Sequence, residues 1–72
     1  MDGLTVGRMV HFVCGMVHRA AIVIDVQNAE KGLVTLFVLS LPIDGRGGIF
    51  MNINTEFSET WRDSTWHWIE KA

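Results

Sequence analysis

Three residues near the start of the chain have side chains that bind metal ions, in the pattern His11-x2-Cys14-x3-His18. In an extended strand, successive side chains point to opposite faces, so a separation of three places His11 and Cys14 on opposite sides. A single ion needs ligands that converge. The neighbouring sequence offers no second cysteine and no converging carboxylate. We therefore expect no metal site and no cofactor.

Cys14 is also a candidate nucleophile, because a histidine brought close by a bend can activate a thiol. His11 and His18 flank it in sequence. The alternative is that Cys14 is a small apolar residue at the end of a strand. The chain has no Gly-x-Ser-x-Gly motif and no paired-carboxylate motif. We expect a protein that is not an enzyme and has no catalytic residue.

A glycine-rich run, residues 44–48 with the sequence Asp-Gly-Arg-Gly-Gly, could bring backbone N–H groups and Arg46 to an anion. It lacks the Lys-Ser/Thr pair of a phosphate-binding P-loop, and no helix follows it. A flexible hairpin loop explains the same residues. Arg46 is therefore kept as one candidate ligand-binding residue.

The tail Thr65-Trp66-His67-Trp68 is the most distinctive local pattern. Its two tryptophans are two residues apart and project from one face of a strand, whereas His67 projects from the other. Such rings can stack on a nucleobase, line a peptide groove, or pack in a core or subunit interface. Trp61 lies just upstream.

The amino-acid composition excludes several classes of protein. The 72 residues form one domain, 1–72, and 49% of them are hydrophobic, which argues against disorder. The net charge of −2 disfavours binding to long nucleic acids. Because no apolar run has membrane-spanning length and the first residues lack a basic and an apolar region, we expect neither a membrane span nor a signal peptide. With a single cysteine, these features predict a cytoplasmic protein without membrane contact.

Alternating apolar residues and turn signals predict an all-β fold. The expected strands are Val6–Val13, Arg19–Val26, Leu33–Leu39, Ile49–Ile53 and Thr65–Ile69. The polar stretch 54–64 leaves room for one helical turn, capped by Asn54 or Thr55. Five evenly spaced strands predict a small antiparallel SH3-like barrel or a bent sheet.

The second and third strands are apolar on both faces. In the second strand we expect Ala20, Ile22, Ile24 and Val26 to share a face, with Ala21 and Val23 opposite. The third strand alternates in the same way, and a strand that is apolar on both sides is usually covered on both sides. A chain of this length cannot supply two layers, so we predict a homo-oligomer.

Three sequence blocks resemble a family of small, mostly uncharacterised phage and prophage proteins. The blocks are Gly7-x2-Val10-His11-Phe12-Val13, Arg19-Ala20-Ala21-Ile22-Val23 and Thr65-Trp66-His67-Trp68. In size and phage context, this family is similar to viral sponge proteins, compact oligomers that sequester nucleotide signals of bacterial immunity. The chain departs from the family pattern in its acidic stretch 56–63 and in Ile69, where a proline is expected.

The resemblance implies a ligand site and a bacterial host cytoplasm as the location. Its matching positions are His11, Arg19, Thr65, Trp66, His67 and Trp68. The implied function is an oligomeric sponge that sequesters a cyclic oligonucleotide or a related small nucleotide without chemistry. Because His67 points away from both tail tryptophans, such a pocket would be shared between subunits. The alternative function is an SH3-like protein-interaction module with a groove lined by Trp61, Trp66 and Trp68.

Overall fold

The computed structural model describes residues 1–15, 17–41 and 48–69. The described chain forms five strands: β1 (Met9–Cys14), β2 (Val17–Asn28), β3 (Leu33–Val38), β4 (Phe50–Phe57) and β5 (Thr65–His67). They pair in chain order into a closed barrel, in which β5 is antiparallel to β1 and parallel to β4. The prediction of a small all-β, five-stranded barrel of SH3-like type is confirmed.

The strand boundaries differ from the prediction at both ends of the chain. β1 begins at Met9 rather than Val6, after Gly7, whose φ of +94° breaks the extended backbone. The expected helical turn in 54–64 is wrong, since 54–57 belong to β4 and 58–64 are not helical. β4 continues through a register shift opposite Thr35, where Asn54 has a φ of +55°. β5 ends at His67 rather than Ile69.

The barrel interior is filled from alternate positions of the strands. Fully buried core side chains come from β1, β2, β3 and β5: Val10, Phe12, Ala21, Val23, Val34, Leu36, Val38 and Trp66. The four residues expected to share a face of the second strand do not do so. A register shift between Val23 and Asp25 changes the alternation, so Val26 packs against the core while Ile24 is exposed.

Trp66 is the largest fully buried side chain and closes the core from β5. Its indole Nε1 donates a hydrogen bond of 2.6 Å to the carbonyl of Gly32, at the turn between β2 and β3. Its ring also meets the ring of Phe57 edge to face, with centroids 4.9 Å apart. The shortest strand is thus tied to the opposite side of the barrel by one side chain.

Substituting Gly32 by alanine tests the close packing at this turn. Gly32 has a φ of +69°, and a Cβ there would lie 2.8 Å from the Cβ of Phe57, which cannot move without β4. Gly15 is the matched control, with a φ of +63° and open space around it. Gly15→Ala should cost about 1–2 kcal/mol from backbone strain alone. Gly32→Ala should cost about 1–3 kcal/mol more, from overpacking.

Chemical denaturation of the two variants measures the difference. Equal destabilisation by Gly15→Ala and Gly32→Ala would show that the contact with Phe57 relaxes freely and that only the backbone conformation matters.

Candidate functional site

Three adjacent strands bring the histidines together on the outside of the barrel. In the β1–β5 pairing, His11 lies directly opposite His67. In the β1–β2 hairpin, His18 lies opposite Val13, two residues along β1 from His11. Since side chains two apart in a strand share a face, and so do directly opposed residues, all three rings project from the same surface. That surface is the one facing away from Phe12 and Trp66.

The imidazole rings contact one another edge to face. The ring centroids of His18 and His67 are 4.6 Å apart, and those of His11 lie 5.9 Å from His18 and 5.7 Å from His67. One nitrogen of each ring lies within 4.8 Å of the corresponding nitrogens of the other two. All three side chains are half-buried. The Nε2 atoms of His18 and His67 are buried and have no hydrogen-bond partner in the described structure, although both residues make other interactions.

Residues 58–64 cover this surface as a short outer layer. The amide of Ser64 donates to the carbonyl of Val13, at 2.9 Å. Val13 is fully buried but is not part of the barrel core, as expected for an outward side chain covered by a second layer. The amide of Gly15 donates to Asp63 Oδ1 at 2.7 Å, and Trp61 Nε1 donates to the carbonyl of Gly15 at 3.3 Å.

A pocket of about 230 Å³ lies between this outer layer and the histidines. It is lined by His18, Glu59, Thr60, Trp61 and His67. The ring of Trp61 meets the ring of His18 edge to face at 4.4 Å, yet 57% of its surface stays exposed. The pocket therefore combines an exposed aromatic residue with an acidic and a hydroxyl residue, and none of the described residues that line it is Lys or Arg.

The resemblance-based residues divide into two groups in the structure. His11 and His67 lie in the histidine cluster, beside the pocket. Thr65 and Trp66 are buried and hydrogen-bonded within the protein, with Thr65 Oγ1 donating to the carbonyl of Arg62 at 2.6 Å. These two residues hold β5 in place and do not line the pocket.

Trp68 and the two arginines also lie away from the pocket. Trp68 is half-buried against Trp66 with centroids 5.0 Å apart, and the Arg8 guanidinium lies 5.3 Å from its ring. Arg19 is half-buried on β2, opposite Phe12 and therefore on the inward side of the strand. Arg46 lies outside the described residues.

The sequence correctly placed His11 and Cys14 on opposite faces of the first strand, but it did not show that His67 joins His11 and His18. Cys14 is buried in the barrel core, away from the histidines. His18 and His11 share a face because the β1–β2 hairpin folds them together, and His67 joins them only through barrel closure. The sequence held one indication that His67 faces outward: it directly follows Trp66 on β5, and neighbouring residues of a strand point to opposite faces.

Comparisons with protein-family models, with curated proteins and with solved structures find no match to this chain. The resemblance to phage proteins therefore stays a prediction. Among the described residues, no helix has the length and apolar character needed to cross a membrane.

Substituting Asp63 tests how the outer layer is attached. Asp63→Ala removes the acceptor of the Gly15 amide, so we expect a loss of about 1 kcal/mol and faster hydrogen exchange of that amide. Asp63→Asn keeps an acceptor oxygen and is the matched control. Exchange of the Gly15 amide at the wild-type rate in Asp63→Ala would show that this bond does not hold residues 58–64 in place.

Proposed function

We propose that this protein is a non-enzymatic binding protein of phage type, an oligomeric sponge that sequesters a cyclic oligonucleotide or a related nucleotide immune signal. The observation that carries the proposal is the pocket beside Trp61. A planar base can stack on the exposed indole, and each base–aromatic stack in single-stranded nucleic-acid complexes contributes about 1–3 kcal/mol. Glu59 and Thr60 offer an acceptor and a hydroxyl to the polar edge of such a ring.

The size and charge of the pocket restrict what it holds. At about 230 Å³ it is smaller than the roughly 300–1,000 Å³ typical of sites that enclose a whole small molecule. It therefore accommodates one ring, and the rest of a cyclic oligonucleotide lies outside it. Because the described lining includes Glu59 and neither Lys nor Arg, the pocket favours the base over the phosphates. A neighbouring subunit would supply the remaining contacts.

The outer face of the sheet supports the oligomeric part of the proposal. Met9, Ile22, Phe37 and Met51 are cross-strand neighbours on β1, β2, β3 and β4. We call these four residues the outer apolar row. Further exposed apolar side chains lie along the same strands or next to them: Ile24, Leu39, Ile49 and Ile53. A row of exposed and half-buried apolar side chains across four strands favours an association surface, and we propose a second copy of the chain as its occupant.

The same outer apolar row favours the alternative function, an SH3-like protein-interaction module. In that case a different protein occupies the surface and the purified chain stays monomeric. The tryptophan groove first expected for such a module lacks Trp66, which is buried in the core.

Nucleotide titration tests the proposed ligand class. In the presence of a metal chelator, a panel of cyclic di- and trinucleotides should change tryptophan fluorescence and raise Tm for at least one member. Trp61→Ala should weaken that binding about 5- to 150-fold, the loss of one stack, while Trp61→Phe keeps a ring and most of the affinity. No response across the whole panel would remove the nucleotide proposal.

Substituting Met51 tests the association surface. Its side chain is 59% exposed within one chain. Met51→Lys places a charge in the outer apolar row, so we expect light scattering to shift from a multiple of 8.1 kDa to the monomer mass. Glu30→Lys, in the exposed turn between β2 and β3, introduces the same charged group elsewhere and should leave the mass unchanged. A wild-type protein of 8.1 kDa at micromolar concentration would contradict self-association.

A further inference from the structure

All three histidines of the chain lie in one cluster. The chain has three in 72 residues, and they come from three different strands, β1, β2 and β5. Each ring is half-buried. Three imidazoles brought this close present ligand nitrogens from three strands at one place on the barrel surface.

The geometry of the cluster fits a metal ion. One nitrogen per ring lies within 4.8 Å of the other two. Zinc–nitrogen bonds of about 2.0–2.1 Å in a tetrahedral site place ligand nitrogens about 3.4 Å apart. The required approach is thus at most about 1.4 Å, which side-chain rotation supplies while the strand register stays fixed.

We propose that His11, His18 and His67 form a three-histidine site for a divalent transition-metal ion of the zinc class. Neutral imidazole is a common ligand for zinc and its first-row neighbours. Cys14 takes no part, because its side chain lies in the barrel core on the other side of β1. The ligand set therefore consists of nitrogen atoms alone.

The fourth coordination position opens into the pocket. His18 and His67 are at once members of the cluster and part of the pocket lining, together with Glu59. Zinc sites with three protein ligands keep an open position for water or an incoming ligand. Glu59 lines the same pocket, so its carboxylate is a candidate acceptor for a hydrogen bond from a water bound there. The site goes beyond the proposed nucleotide function and does not depend on it.

Metal titration of the full chain without nucleotide tests the site. After chelator treatment, Zn²⁺ followed by calorimetry should bind at one ion per chain and raise Tm. Co²⁺ should give the visible absorption of a tetrahedral nitrogen site without the charge-transfer band of a thiolate. Lowering the pH should weaken binding, since protons compete for the imidazole nitrogens. No binding of either ion at millimolar concentration would overturn the proposal.

Single substitutions identify the ligands. His11→Gln, His18→Gln and His67→Gln should each weaken Zn²⁺ binding at least tenfold, whereas Cys14→Ala should bind as the wild type does. Zinc affinity that survives the histidine substitutions, or is lost in Cys14→Ala, would contradict the assignment. If a variant does not fold, NMR of wild-type imidazole resonances decides: all three rings should shift with added Zn²⁺, and shifts confined to one ring would contradict the proposal.

The two proposals fail separately. Nucleotide binding is measured with chelator present, and zinc binding is measured without nucleotide. A chain that binds zinc and no nucleotide retains the metal site and loses the sponge function, and the opposite result removes only the metal site.

Discussion

Closure of the barrel by β5 is the constraint on which the rest of the structure depends. This strand has three residues and pairs with β1 on one side and β4 on the other. So short a strand offers few backbone hydrogen bonds, and the buried Trp66 ring with its bond to the Gly32 carbonyl adds a side-chain anchor. Because side chains alternate along a strand, the residue after Trp66 must point outward. The interaction that fills the core therefore also places His67 beside His11 on the outer surface.

The apolar residues of the strands lie on two surfaces of the sheet, one inside the barrel and one outside. Inward positions of β1, β2 and β3 fill the barrel, while the outer apolar row lies across β1 to β4. The histidines lie where β5, β1 and β2 meet, and there residues 58–64 cover the sheet instead. One side of the small barrel is thus covered by its own chain, and the other side leaves apolar residues exposed. This division separates the surface proposed for assembly from the surface proposed for binding.

Local alternation predicted the five strands, because most of their residues follow a simple period of two. Alternation gave wrong predictions where a backbone irregularity interrupts the two-residue repeat of side-chain direction. The register shift before Asp25 moved Val26 toward the core, and the positive φ of Asn54 let β4 continue where a helical turn was expected. The histidine cluster could not be predicted from the sequence for another reason. His11 and His67 are far apart in sequence, and their approach follows from barrel closure, which no local spacing contains.

The three histidines and the residues that cover them are held in place by different parts of the structure. The Cα positions of the three histidines are fixed by paired strands of the barrel, so binding there needs only side-chain rotation and little ordering of backbone. The cover is held differently, since residues 58–64 contact the β1–β2 hairpin through one hydrogen bond at Val13, two at Gly15 and the ring contact of Trp61 with His18. The relative positions of the three imidazoles therefore depend on the strand pairings, whereas the shape of the pocket beside them depends also on the contacts of residues 58–64.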